Sequence, residues 1–123
     1  MAWSIDARIP LVTVSGSAAL AAALGGGKPA AVLAEAPPPP LPEGAVALAG
    51  FDLSGPAHAP ACSCCGGRGP AALALDRLFQ ARVRGNCPWF ERVVALVEAE
   101  AARRELDQAL AADPVTASRF RAA

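Results

Sequence analysis

Short apolar runs alternate with amphipathic segments along this chain, and most of the runs are bounded by Gly, Pro or charged residues. The run Val93-Val94-Ala95-Leu96-Val97 has no polar position. It therefore predicts a strand over 92–98 that is buried on both faces of a parallel sheet. The apolar runs at 9–15, 30–35 and 45–49 predict three further strands of the same sheet.

The segments between these runs have helical character. Residues 71–84 place apolar side chains at three- and four-residue spacing, and Gly85 ends the segment. Residues 17–24 predict a short Ala/Leu helix with Ser17 as its N-cap, and residues 100–112 predict a third helix. Residues 114–121 predict a last helix, with Asp113 as its N-cap. The predicted inward face of 71–84 consists of Ala71, Ala72, Leu75, Leu78, Phe79 and Val83.

Strands that alternate with helices indicate an α/β fold. We expect a small three-layer domain with a mostly parallel sheet and right-handed crossovers. The chain has 123 residues, which is the length of one domain, so a single domain over 1–123 is expected. Residues at about 36–70 are rich in Pro and Gly and predict a long loop region, in which the four prolines at 37–40 must be extended.

Composition narrows the classes of partner. Lys and Arg together number 11, as do Asp and Glu, and this zero net charge argues against a nucleic-acid partner. No apolar run is long enough to span a membrane, so no membrane partner is expected. The apolar stretch 11–24 has the character of a signal-peptide core. The ten residues before it carry no net positive charge, however, which favours a cytoplasmic protein.

Three cysteines within four residues, Cys62, Cys64 and Cys65, form the most informative feature of the chain. Thiolates so close together suit a soft or borderline metal ion such as Zn²⁺ or Cu(I). The glycines at 66 and 67 would let the loop fold around the ion. The cluster therefore predicts a Zn²⁺ site, while an inherited loop without metal and a redox-active cluster stay open as alternatives.

Four further features bear on this site. His58 lies four residues before the cluster and is a candidate additional ligand, although a lone solvated His is the alternative. Arg68 would favour the thiolate form of the cysteines. Cys87 follows the helix predicted at 71–84, which would carry it to the opposite edge of the sheet, so a buried inert cysteine is expected. The cluster allows only one clean long-range disulfide, to Cys87, so a reduced protein is favoured over a secreted one.

The charged residues after the best strand look structural. Glu98, Glu100 and Glu105, with Arg103 and Arg104, predict a solvated helix face with local ion pairs. The chain has a single His, and no Ser/His/Asp or Cys/His arrangement stands out, so no catalytic residues are expected.

The order of these pieces resembles the CobW-type P-loop GTPases, metallochaperones related to the nickel-insertion GTPases. The strand at 9–16, the C-x-C-C motif at 62–65 before a long helix, the strand at 90–94 and the stretch at 113–121 are collinear with that family. The resemblance implies an incomplete P-loop-NTPase-like fold. It also implies that Cys62, Cys64 and Cys65 bind a metal ion.

The chain departs from the family where nucleotide chemistry is done. A phosphate loop needs G-x-x-x-x-G-K-[ST] after the first strand, but the residues after Gly16 include no Lys and no second Gly where they are needed. The sequence at 25–29 contains Lys28, but position 22 is Ala rather than Gly and position 29 is Pro rather than Ser or Thr. The acidic motif of the family would fall at 96–99, where Glu98 is two places late. GTP binding and GTPase activity are therefore not expected.

These features together predict a non-catalytic, CobW-like protein that binds a metal ion in metal handling or homeostasis. The partners expected are the metal ion and either a CobW-type GTPase or a metal-dependent client protein. The alternative function is that of a metal-free accessory protein which partners a full-length CobW-type GTPase. In that case the sheet edge left by truncation would be available for pairing.

Overall fold

The computed structural model describes residues 6–37, 39–53 and 68–123. Within these ranges, strands and helices alternate along most of the chain, as the sequence predicts. In chain order the elements are β1 (Ile9–Val14), α1 (Ser17–Leu24), β2 (Ala30–Glu35), β3 (Ala45–Phe51), α2 (Pro70–Arg84), β4 (Arg92–Leu96), α3 (Glu100–Ala112), α4 (Pro114–Arg119) and β5 (Phe120–Ala122).

The five strands form one sheet in the order β3-β2-β4-β1-β5, and every neighbouring pair is parallel. The α/β class and the three-layer arrangement are thereby confirmed. From β1 the chain crosses β4 to reach β2, whereas from β4 it crosses β1 to reach β5. The two connections leave in opposite directions, so the topological switch point lies between β1 and β4.

Helices cover both faces of the sheet. Leu20 and Leu24 of α1 pack with Val32 and Val94 on one face. The other face carries the larger core, in which α2 and α3 pack on the alternate strand residues. Val93, Val94 and Ala95 are all 0% exposed, which confirms that β4 is buried on both sides. The larger core includes Leu33, Phe51, Leu75, Leu78, Phe90, Val93, Ala102, Leu106 and Phe120.

Several local expectations hold. The predicted bounds of α1, β2 and α3 agree with the structure, and Gly85 ends α2 in the left-handed conformation at φ +73°. The Asp113 carboxylate accepts a hydrogen bond from Thr116 N and caps α4, as predicted. Strand β3 runs two residues beyond the predicted end at 49, because Phe51 is drawn into the core.

Three details of the prediction were wrong. Gly16, rather than Ser17, is the N-cap of α1, and no side chain caps that helix. Val83 is 52% exposed and does not belong to the buried face of α2. The last helix stops at Arg119, and the next three residues form β5, which pairs with β1. Burial of Phe120 to 1% exposure together with this pairing favours the strand over further helix.

Candidate functional site at the carboxyl end of the sheet

The residues predicted to bind metal, Cys62, Cys64, Cys65 and His58, lie outside the described residues. Their connection leaves β3 at Phe51 and enters α2 at Pro70. Because β3 and β4 are parallel, α2 must run back toward the amino ends of the strands, and the connection therefore starts and finishes at the carboxyl end of the sheet. Open parallel sheets bind ligands at this end. Within the described ranges, no group of three or more His, Cys, Asp or Glu side chains is placed to hold a metal ion.

Arg68, the first described residue after the cysteines, is held by two carboxylates. Its Nε and Nη2 donate to the two oxygens of Asp113 at 3.1 and 3.0 Å, and its Nη1 lies 3.4 Å from Asp76 Oδ2. The hydrogen bonds to Asp113 raise the pKa of Arg68 despite partial burial. The two carboxylates share its positive charge. Less of that charge is then available to a thiolate than the sequence alone indicated.

Asp113 and Asp76 connect this arginine to the last helix. Asp113 Oδ2 also accepts hydrogen bonds from Thr116 N at 3.0 Å and from Thr116 Oγ1 at 2.7 Å. Asp76 Oδ1 accepts from Arg119 Nη1 at 2.6 Å. Burial by itself would raise the pKa of Asp113, but the bonds from Arg68 and Thr116 outweigh it and lower that pKa. A charged network thus fixes the end of the cysteine-bearing connection.

Gly69, the next residue, packs directly against the end of the Glu105 side chain. A Cβ at this position would overlap the carboxylate of Glu105. That carboxylate accepts a hydrogen bond from Ala71 N at 3.0 Å, so an acid from α3 satisfies the first turn of α2. Arg68, Gly69, Glu105 and Asp113 also line an open cleft of about 400 Å³ between α2 and α3.

The loop after β1 lies at the switch point, where a phosphate loop would be. Gly16 adopts φ +88°, and its N–H donates to Glu98 Oε1 at 3.1 Å. Glu98 N and Ala99 N in turn donate to Glu35 Oε2 at 3.2 and 3.3 Å, at the start of α3. Two carboxylates therefore occupy backbone donors that, in a nucleotide-binding protein, face an anion. Beside them an open cleft of about 470 Å³ is lined by Glu35, Ala36, Pro37, Pro39, Leu96, Glu98 and Ala99.

These contacts correct the predicted role of the glutamates. Glu98 precedes α3 and accepts from Gly16 N, and Glu105 accepts from Ala71 N, so among the described residues neither forms a local ion pair. Only the exposed pair of Glu100 Oε1 and Arg104 Nη2, at 3.0 Å, fits that expectation. The prediction failed because the partners are backbone amides far away in sequence, which no local charge pattern indicates.

Cys87 lies after α2, at the amino end of the sheet, where the sequence placed it. It is half-buried and packs against the larger core, so it is more accessible than predicted. Helix α2 therefore lies in the chain between Cys87 and the connection that carries the other cysteines. The amino end also holds two arginines that the sequence did not single out, Arg82 and Arg92, which bond backbone carbonyls.

Over the described part of the chain, no helix is long and apolar enough to cross a membrane. No protein-family model, no curated protein and no solved structure matches this chain. The relationship to the CobW-type proteins therefore stays a prediction that rests on the motifs quoted above and on an α/β fold compatible with them.

Proposed function

We propose that this chain is a non-catalytic, CobW-like metal-binding protein of the cytoplasm. In this proposal it holds Zn²⁺ through Cys62, Cys64 and Cys65 and serves metal handling. The observation that carries the proposal is the anchoring of the cysteine-bearing connection at the carboxyl end of the sheet. Arg68 and Gly69, three and four residues after Cys65, are fixed by Asp113 and by the packing of Glu105.

This anchoring supports metal binding for an energetic reason. A loop that must close around an ion loses conformational entropy, and fixing one of its ends in advance reduces that loss. The donor set also fits the ion, because three thiolates and one open position are typical of zinc ligation at Zn–S distances of about 2.3 Å. His58, a water molecule or a partner's side chain would complete the four ligands.

The switch-point contacts support the absence of nucleotide chemistry. No Lys follows Gly16 at the spacing of a phosphate loop, and the Gly16 N–H is taken by the Glu98 carboxylate. A triphosphate approaching this loop would meet a negative charge and would have to displace it, which is costly. We therefore infer that the protein neither binds nor hydrolyses GTP.

Metal analysis tests the proposal directly. Protein purified under reducing conditions and equilibrated with micromolar Zn²⁺ is compared with the C62S/C64S/C65S variant and with C87S. We expect about one tightly bound zinc per chain in the unaltered protein and in C87S, and none in the triple variant. Failure of the unaltered protein to retain zinc would overturn the proposal. The H58A variant identifies the fourth ligand, because loss of a ligand should weaken zinc binding by at least about tenfold.

A nucleotide titration tests the inference that the protein does not bind GTP. We expect no binding of GTP with Mg²⁺ at micromolar concentrations to the unaltered protein. An affinity in that range would contradict our interpretation of residues 17–24. The E98A variant separates the two reasons given above: if it gains affinity, the carboxylate is the barrier, and if it does not, the missing Lys is sufficient.

The alternative function, a metal-free accessory of a CobW-type GTPase, is favoured by one feature. Strand β3 is at the edge of the sheet, has only apolar residues or Gly, and pairs with β2 alone among the described strands. Such an edge is suited to pairing with a partner strand. Capture of a purified CobW-type GTPase by the triple cysteine variant as well as by the unaltered protein would favour this function over the metal site.

A further inference from the structure

Arg82, in the last turn of α2, has an unusual environment for a surface arginine. Its Nε donates to Phe90 O at 2.8 Å, and its guanidinium carbon lies 3.6 Å from the centre of the Trp89 ring. The same guanidinium is 5.5 Å from the ring of the buried Phe90. A backbone acceptor and a stacked aromatic ring thus hold the side chain in one orientation.

The outer edge of this guanidinium has no partner within the part of the chain that the structure describes. Among the described residues, neither Nη1 nor Nη2 of Arg82 has a hydrogen-bond partner, and no carboxylate forms an ion pair with it. Glu91, whose negative charge acts on Arg82, lies 4.0 Å from Lys28 Nζ. A planar fork with two free donors, already immobilised, matches the geometry of a carboxylate at low entropic cost.

Apolar surface accompanies the fork. Trp89 is 56% exposed although it is stacked on Arg82, and Val83, the next residue in α2, is 52% exposed. Trp and Arg are the residues that most often dominate protein–protein contacts, because they combine large contact area with directed donors. Arg84, exposed in the same turn, adds a second positive charge that has no ion-pair partner in the described ranges.

We propose that Arg82 and Trp89 form a docking site for a protein partner. The partner would present an acidic side chain next to an apolar one. The acidic side chain would bind the Nη1 and Nη2 edge of Arg82, and the apolar one would cover the exposed part of Trp89. No described carboxylate forms an ion pair with Arg82 or Arg84, so the patch is positively charged and favours a partner with negative charge. The zero net charge of the chain argues against a polyanion such as nucleic acid.

Fluorescence of Trp89 tests the site in the full chain. The W3F variant leaves Trp89 as the only tryptophan. The probes are capped pentapeptides with a central Leu-Asp or Leu-Glu pair, and their controls carry Leu-Asn or Leu-Gln. We expect a saturable change in Trp89 emission with the acidic peptides at millimolar or lower concentration. The amide peptides should bind about tenfold more weakly.

Two arginine variants complete the experiment. R82K keeps the charge but loses the planar fork and should weaken binding of the acidic peptides by about tenfold, whereas R84K should change it by less than about twofold. Thermal melts followed by circular dichroism establish that both variants are folded. The proposal is overturned if the acidic peptides give no saturable change, if the amide peptides bind equally well, or if R82K binds as the unaltered protein does. Zinc content does not depend on this site, so either proposal can fail alone.

Discussion

Charged side chains of opposite sign bond backbone groups at the two ends of the sheet. At the carboxyl end, backbone N–H groups at the starts of α1, α2 and α3 donate to the carboxylates of Glu98, Glu105 and Glu35. At the amino end, Arg92 donates to the carbonyl oxygens of Ala23, Gly26 and Lys28, each at 2.8 Å, and Arg82 donates to Phe90 O.

The parallel sheet explains this division. Each helix that connects parallel strands begins at their carboxyl end and ends at their amino end, so free N–H groups collect at one end and free C=O groups at the other. The helix dipole adds partial positive charge to the first end and partial negative charge to the second. Carboxylates and guanidinium groups are therefore placed where each is stabilised.

The difference also separates the two proposed activities. Glu35, Glu98 and Glu105, at the carboxyl end, accept hydrogen bonds from backbone amides, and the proposed thiol ligands belong to the connection that adjoins this end. At the amino end, Nη1 and Nη2 of Arg82 have no hydrogen-bond partner among the described residues, and Trp89 is exposed. Our proposals accordingly assign metal binding to the first end and partner binding to the second.

The largest expected effect comes from removing Arg92. The R92M variant loses three hydrogen bonds that join the end of α1 to β4, and we expect about 3 kcal/mol less stability toward urea. R103M removes an exposed arginine of α3 and serves as the control, with a change below about 0.5 kcal/mol. Equal stabilities of the two variants would show that the arginine contacts of the amino end contribute little.

The next effect is at Asp113 and depends on pH. Since the folded-state pKa of Asp113 is below that of the unfolded chain, about 3.9, its stabilisation is present above that pH and is lost as the pH falls through the folded-state pKa. We expect D113N to lose about 2 kcal/mol at pH 7, because Arg68 and Thr116 N lose a charged acceptor. As the pH falls below about 4, the difference between the variant and the unaltered protein should shrink, and it should vanish below the folded-state pKa of Asp113. A constant difference across this range, measured by urea unfolding, would exclude Asp113 as the titrating group.

Two glycine-to-alanine variants test how much the Glu105 carboxylate stabilises the start of α2. G69A places a methyl group against the Glu105 carboxylate and should cost about 1.5 kcal/mol, because Ala71 N loses its acceptor. Gly26, whose added Cβ would meet nothing within 4 Å, is the matched control, and G26A should stay within about 0.5 kcal/mol. In the E105A background the G69A change should cost clearly less. Additive costs would show that the two residues do not interact.

The smallest expected effect distinguishes two neighbouring glutamates. E98A removes the acceptor of Gly16 N and should cost about 1 kcal/mol. E100A removes an exposed pair with Arg104 and should cost about 0.3 kcal/mol, a loss that 0.5 M NaCl should abolish. Stability measured at both salt concentrations tests this ranking. A larger loss for E100A would place the important charge on the solvated face of α3.

The sequence by itself determined the fold class and every secondary-structure element of the described chain except the short strand β5. Hydrophobic periodicity indicates which side chains must leave water. This requirement places β4 between two layers of helices and Leu106 on the buried face of α3. The C-x-C-C motif suggested a metal site without the structure, because the type and spacing of the candidate ligands are visible in the sequence. The capping of α4 by Asp113 was predictable for the same reason, because donor and acceptor are three residues apart.

Only the tertiary structure decided which distant groups meet. The contacts of Glu98 with Gly16 and of Glu105 with Ala71 join residues 82 and 34 positions apart. Phe120 begins a strand rather than continuing a helix because β1 offers it a partner. The stacking of Arg82 on Trp89 likewise depends on how the end of α2 meets the start of β4. Local patterns reflect burial and short-range bonds, whereas the strand order fixes which termini, charges and rings become neighbours.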